Sequence, residues 1–383
     1  LGAADAVAVV TNHSVIDWEM VARESQLVVD FRNVVPAVDG KVGDFERSLG
    51  VVGLNYWGPN LARNFDRLAT CELAYCCDLD EKVLDRHRSS FQRSTFTTRL
   101  DDLLEDDTLD AVVIATPGPW HTQHALTALQ AGLDVFVEKP MATQATDARK
   151  LAAAFHATDR IGMVGHLMHH HGAIHSLFEA IRQGRIGTPL AFHSARLCRP
   201  NSRDVDGSLL FSLAPHDISL LRALDASAIR HIDTKWGRMG SLLPNIANLH
   251  LRLSSGLEAH IVVSRAHHTK VRKTTIVGEH ASIVFDDVTS GPKLTLRHHG
   301  KSEALDFDPT PPLRTEIREF IHCIRTRKNP TIGTREGLEV VEILERAQAI
   351  AMRHDDRNVT RKSSSPSFPW KDSLFDLIDS QLR

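Results

Sequence analysis

Apolar and polar positions change their rhythm twice along the chain. Two short apolar runs at 6–10 and 27–30 flank a helical piece that starts near Ser14. They read as short buried strands, too small a unit to fold alone. Residues 36–43, with Pro36, Gly40 and Gly43, break the pattern as a linker would. From Ser48 a second rhythm begins. Unalternating apolar runs at 49–52, 73–77, 111–115 and 134–137 are separated by segments of helical period at 60–68, 81–89, 100–104 and 121–131. Strands that are apolar on both faces and alternate with helices predict a parallel sheet covered on both sides. After about Gly165 the rhythm becomes alternating, at 190–196, 229–236, 247–253, 258–264, 274–278, 281–286 and 293–297. Alternation predicts an antiparallel sheet with one packed and one open face. Helices are expected at 172–183, 314–325 and 337–352, and the tail beyond 355 reads as mobile, with a short amphipathic helix at 371–382.

The fold class is therefore α/β: a parallel-sheet domain followed by an α+β domain built on a largely antiparallel open sheet. The expected units are 1–45, 46–165, 166–355 and a tail at 356–383.

Composition narrows the function. The 383 residues suffice for two cores, and 42% hydrophobic with 24% charged residues is ordinary for a soluble protein. A net charge of −3 argues against a nucleic-acid surface. No apolar run reaches the roughly 18 residues of a membrane helix, and no signal-peptide pattern opens the chain. Five cysteines without CxxC spacing read as reduced thiols in a cytoplasmic protein. The 22 histidines raise the question of a metal, but His169-His170-His171 lacks the spacing and acidic neighbours of a zinc site, so none is expected.

Four features carry chemistry. The turn after the strand at 49–52 reads Gly53-Leu54-Asn55-Tyr56-Trp57-Gly58 and precedes a helix, as a dinucleotide site requires. Asparagine stands where the middle glycine of GxGxxG is usual, and it is the side chain best suited to positive φ. Asp78 ends the second strand, where an acid would hydrogen-bond ribose hydroxyls, though it could equally cap the next helix. No basic residue follows it, which favours NAD over NADP. Thr116, Pro117 and His121 leave a third strand at its carboxyl end, and Glu138-Lys139-Pro140 leave a fourth.

This ordered set is similar to the glucose-fructose oxidoreductase/inositol dehydrogenase/MocA family of sugar dehydrogenases. The similarity continues through residues 165–171, Leu213-Ala214-Pro215-His216-Asp217-Ile218, Lys270-Val271-Arg272 and Phe285-Asp286-Asp287. The resemblance implies cofactor contacts from Gly53, Asn55, Tyr56, Trp57, Gly58, Asp78, Thr116, Pro117, His121, Glu138 and Lys139. It implies catalysis by Lys139 and His216, with His171, Ser212 and Asp217 at the sugar. A histidine accepts the hydroxyl proton, and a nearby ammonium stabilises the developing alkoxide. Ser212 departs from the family's aspartate, and Arg265 from a tryptophan.

Residues 1–35 instead resemble the end of a UDP-sugar 6-dehydrogenase. That juxtaposition points to a nucleotide sugar: NAD-dependent oxidation at C3 of a UDP-N-acetylhexosamine or its uronate, in polysaccharide biosynthesis. The alternatives are a dehydrogenase of another sugar or inositol, and a binding protein without turnover. A homodimer or homotetramer is expected, since the open sheet face invites packing.

Overall fold

A computed structural model describes residues 47–199 and 208–362, and outside these only 7–9, 20–21, 28–30 and 42–43. Strands β1 (Val7–Val9), β2 (Val28–Asp30) and β3 (Val42–Gly43) form a small parallel sheet in the order β1-β2-β3. The end of the expected linker is thus a strand: Val42 and Gly43 pair with Val28 and Val29. The helix expected at 371–382 lies outside the described residues, as does the tail beyond 362.

The main sheet has six parallel strands in the order β6-β5-β4-β7-β8-β9. These are β4 (Arg47–Val52), β5 (Cys71–Cys77), β6 (Thr95–Thr97), β7 (Ala111–Ile114), β8 (Asp134–Glu138) and β9 (Gly162–Gly165). Between them run α1 (Gly58–Asp66), α2 (Glu81–Arg88), α3 (Asp101–Leu104), α4 (Gly118–Gln130) and α5 (Ala145–His156). Strands β7 and β8 are buried at every position, which accounts for their unbroken apolar runs. The strand order reverses between β4 and β7. Open α/β sheets bind ligands in the crevice at that point.

A 3-10 turn (Leu167–His170) and α6 (Gly172–Arg182) lead into an eight-stranded sheet ordered β11-β12-β13-β10-β14-β15-β16-β17. Its strands are β10 (Pro189–Leu197), β11 (Ile229–Gly237), β12 (Ile246–Leu253), β13 (Glu258–Ser264), β14 (Val271–Gly278), β15 (Ser282–Asp286), β16 (Leu294–His298) and β17 (Lys301–Ala304). The sheet is mostly antiparallel, as alternation predicts, but β10 and β13 pair in parallel. Helices α7 (Leu209–Leu213) and α8 (Pro215–Leu224) sit between β10 and β11.

The last two helices are longer than their apolar period suggests. Helix α9 (Pro312–Thr326) returns to the first domain, where Phe320 packs edge-on against Phe65 and Phe136 at 6.3 and 5.6 Å. Helix α10 (Thr334–Lys362) joins both sheets: Arg149 of α5 and Arg222 of α8 pair with its Glu342 and Glu339. Its last residues, 356–362, lie in the segment expected to be mobile. No described helix is long and apolar enough to cross a membrane.

Candidate active site

The turn after β4 is built from two glycines that nothing else could replace. Gly53 has φ of 93°, and a Cβ there would lie 2.7 Å from the carbonyl of Ala115 and the amide of Thr116. At Gly58 a Cβ would lie 1.7 Å from the carbonyl oxygen of Gly53. Asn55 is exposed, and among the described residues only His299 and Arg327 are non-glycines with positive φ. The expected reason for an asparagine, tolerance of positive φ, therefore does not apply at 55. Tyr56 is exposed and Trp57 precedes α1, whose first turn receives no side-chain cap. Pro59 has no N–H, and Asn60 and Leu61 donate theirs to the Trp57 carbonyl, so the fit to a pyrophosphate rests on the close backbone approach that Gly53 and Gly58 allow at the helix N-terminus.

Asp78 accepts the N–H of Leu54 at 2.7 Å and that of Asp80 at 3.1 Å. Asp80, through the N–H of Lys82, is the residue that caps α2. Asp78 is thus fixed against the phosphate turn, where an acid faces a ribose, and the capping alternative falls to its neighbour. Thr116 lies against Gly53, while its hydroxyl meets His124 Nδ1 at 3.1 Å. Pro117 precedes the first turn of α4. His121 is buried, its two ring nitrogens 2.6 Å from the Thr116 carbonyl and 2.8 Å from that of Pro140, so it ties two strand ends together.

Glu138 is buried at the end of β8 and accepts the N–H of Lys139 at 3.1 Å; the Lys139–Pro140 peptide is cis. Lys139 reaches into the second domain, its Nζ donating to the Ser212 carbonyl at 3.5 Å. His216, in the first turn of α8, stands beside it with Nδ1 buried and unpartnered. His166 faces His216 edge-on at 6.1 Å and has its own Nδ1 unpartnered. Burial holds the pKa of His216 well below the usual histidine value, with Arg196, Lys139 and His166 adding to the effect. Burial does the same at His166, helped by His169 and Lys139. Both rings are therefore neutral at neutral pH.

The remaining expected sugar contacts separate. His171 caps α6 by accepting the Ala173 N–H at 3.1 Å, and its Nε2 lies 3.7 Å from Asp287. Although burial would raise it, His171 and Lys293 pull the Asp287 carboxyl down to about 2. Ser212 offers its carbonyl to Lys139. Asp217 is 1% exposed and bound by Arg196 Nε at 2.7 Å and Ser194 Oγ at 2.6 Å, so its carboxylate anchors α8 to β10 rather than facing the crevice. His170 lies 3.3 Å from Glu319. Among the described residues no three histidine, cysteine or acidic side chains gather as a metal site would require. His166 and Arg196 stand near His216, and no local spacing singled them out.

Two family models match in tandem: "Oxidoreductase family, NAD-binding Rossmann fold" over residues 47–166, and the GFO/IDH/MocA C-terminal domain over 174–284. The chain belongs to this family. It is an NAD(P)-dependent oxidoreductase. An uncharacterized oxidoreductase of Streptococcus pneumoniae is 34% identical over 149 residues, 38% of this chain and 39% of that protein. The 1,5-anhydro-D-fructose reductase of Ensifer adhaerens is 27% identical over 264 residues, 63% of this chain and 77% of the relative. The UDP-N-acetylglucosamine 3-dehydrogenase of Acidithiobacillus ferrooxidans is 25% identical over 293 residues, 73% and 89% of the two chains. A solved structure of that dehydrogenase shares the fold, with a TM-score of 0.72 at 23% identity over 79% of this chain and 97% of the other.

Proposed function

We propose that the protein uses NAD to oxidise a secondary hydroxyl, at C3, of a UDP-N-acetylhexosamine or its uronate. The observation that carries the reading is Lys139 reaching from β8 of the dinucleotide domain to the Ser212 carbonyl, beside His216. NAD, when bound, accepts the hydride. Gly53 and Gly58 admit its pyrophosphate, and the Asp78 carboxylate binds ribose hydroxyls while repelling a 2′-phosphate, which favours NAD over NADP. The Lys139 ammonium draws electron density from the substrate oxygen, and the neutral His216 imidazole takes up the hydroxyl proton. A neutral imidazole matters because an imidazolium could not accept that proton. Support for the nucleotide sugar comes from the relative named for it and from residues 1–35, whose resemblance to a UDP-sugar 6-dehydrogenase fits a shared pathway. We further assign the open face of the eight-stranded sheet to a homodimer or homotetramer contact.

NADH fluorescence during incubation with UDP-N-acetylglucosamine, its uronate and myo-inositol tests this reading. Turnover of either UDP-sugar is expected. Turnover of inositol alone would move the substrate to the polyols, and silence with all three would make the protein a binder without chemistry. In an active protein, Lys139→Ala should lower kcat by about 10²–10³-fold with NAD affinity nearly unchanged. Equal loss of NAD affinity would show that Lys139 serves binding instead.

A further inference from the structure

The carboxyl ends of β10 and β13 and the start of β14 meet at one edge of the second domain, and arginines crowd there. Arg196 and Arg272 are directly opposite in the β10–β14 register, and Arg265 follows Ser264, the last residue of β13. The Ser264 carbonyl accepts the Cys198 N–H at 2.8 Å, which brings the Arg265 and Arg272 strands to either side of Cys198. Arg196 is committed to Asp217. Among the described residues no carboxylate pairs with Arg272: its hydrogen bonds go to the carbonyls of Leu197 and Val271, at 3.1 and 3.0 Å. The acids in its electrostatic neighbourhood, Asp217 and Asp287, are held by Arg196 and Ser194 on one side and by Lys293 on the other. Burial consequently presses the Arg272 guanidinium pKa down, and Arg196 adds to it.

This edge also lines the crevice. Arg196 acts electrostatically on His216, and His171 touches Asp287 beside Arg272. Arg265, half-buried, lies within electrostatic reach of Tyr56 of the phosphate turn. A guanidinium fixed by backbone carbonyls keeps its full charge and a planar fork that matches phosphate or carboxylate. A neutral polyol gives such a group nothing to bind.

We propose that Arg272, with Arg265 beside it, forms a subsite for an anionic group, phosphate or carboxylate, carried by the substrate away from its reacting hydroxyl. The subsite rests on the sugar-dehydrogenase reading and specifies that the sugar is charged.

The test is calorimetric titration of the NAD-bound protein with inorganic pyrophosphate, D-glucuronate and myo-inositol, for wild type, Arg272→Gln and Arg265→Gln. At least one anion should bind wild type and weaken about tenfold or more in Arg272→Gln, with inositol affinity unchanged. Pyrophosphate responding alone identifies the group as a phosphate, glucuronate alone as a carboxylate. Should Arg272→Gln fail to fold, wild type still decides. Raising ionic strength from about 0.05 to about 0.5 M should weaken the anion and spare inositol. Failure of both anions to bind, or equal affinity in the variants, overturns the subsite. A loss of NAD affinity in Arg265→Gln, with anion binding intact, overturns the assignment of Arg265 and gives that charge to the cofactor. Anion binding without turnover of any UDP-sugar overturns the proposed reaction and leaves the subsite standing.

Discussion

A methyl group at position 58 would sit 1.7 Å from the Gly53 carbonyl oxygen, and one at position 53 would meet the Ala115 carbonyl at 2.7 Å. Neither clash can be relieved by a side-chain movement, because both partners are backbone. Gly58→Ala should therefore weaken NAD binding by about tenfold or more, the cost of about 1.4 kcal/mol or greater, whereas Asn55→Gly should change it less than about threefold. Quenching of tryptophan fluorescence by NAD, with Trp57 in the turn, reads both. A tightening in Asn55→Gly would mean that its side chain does obstruct the pyrophosphate. The positions of the glycine frame, Asp78 and Lys139 are legible in the sequence because each obeys a local rule: a turn, a strand end, a strand followed by proline. Asp217 was not. Its partners Ser194 and Arg196 lie on a strand 23 and 21 residues away, and only the fold shows that they consume its carboxylate. For the same reason His166 and Arg272, although they fall in segments that carry the family resemblance, receive no role from any local rule.

The elements divide along similar lines. Strands β10 to β16 are located to within a few residues by their apolar rhythm, which alternates clearly in β10, β12 and β13 and gives way to a buried run in β15. Strand β17 is missed because Lys301, Ser302, Glu303 and Ala304 are all exposed, and no apolar period marks them. The parallel pairing of β10 with β13 is invisible to alternation, which is the same in either direction. Helix α9 looks like an ordinary amphipathic helix, yet it buries Glu316 completely, its carboxylate oxygens without a hydrogen bond among the described residues and His170 Nε2 3.8 Å from Oε1. Burial, with Glu138 and Glu319 nearby, raises the Glu316 pKa well above its ordinary 4.5. The folded chain then keeps a proton that the unfolded chain releases, so stability falls as pH climbs above 4.5. Glu316→Gln removes that penalty while keeping the shape. It should melt roughly 2 °C or more above wild type at pH about 8 and close to wild type at pH about 5. Equal melting temperatures at pH 8 would show that Glu316 ionises freely in place.

At the scale of the molecule, the crevice joins two cores through histidines that must remain neutral. His166 and His169 are 1% and 7% exposed, and burial drives the His169 pKa down to about 3 and that of His166 well below the usual value. His169 meets the Ser219 hydroxyl at 2.6 Å, linking the 3-10 turn after the Rossmann sheet to α8 of the second domain. When pH falls below the ordinary histidine value of 6.5, the unfolded chain takes up protons that the folded chain refuses, and stability is lost. Each refused proton costs roughly 1.4 kcal/mol per pH unit, so these two groups and His216 together act steeply. Glu316 works in the opposite sense above its ordinary value, and the depressed carboxyls of Asp287 and Glu319 lose stability only below about 4.5, which leaves the limb above that pH to the histidines. The melting temperature should therefore drop sharply between pH about 6.5 and about 4.5, and His169→Gln should make that limb shallower while leaving the value near pH 8 little changed. A variant whose acid limb runs parallel to wild type would show that His169 is protonated in the folded chain. In that case its bond to Ser219 would hold an imidazolium, and the neutral environment assigned to His216 would have a cation beside it.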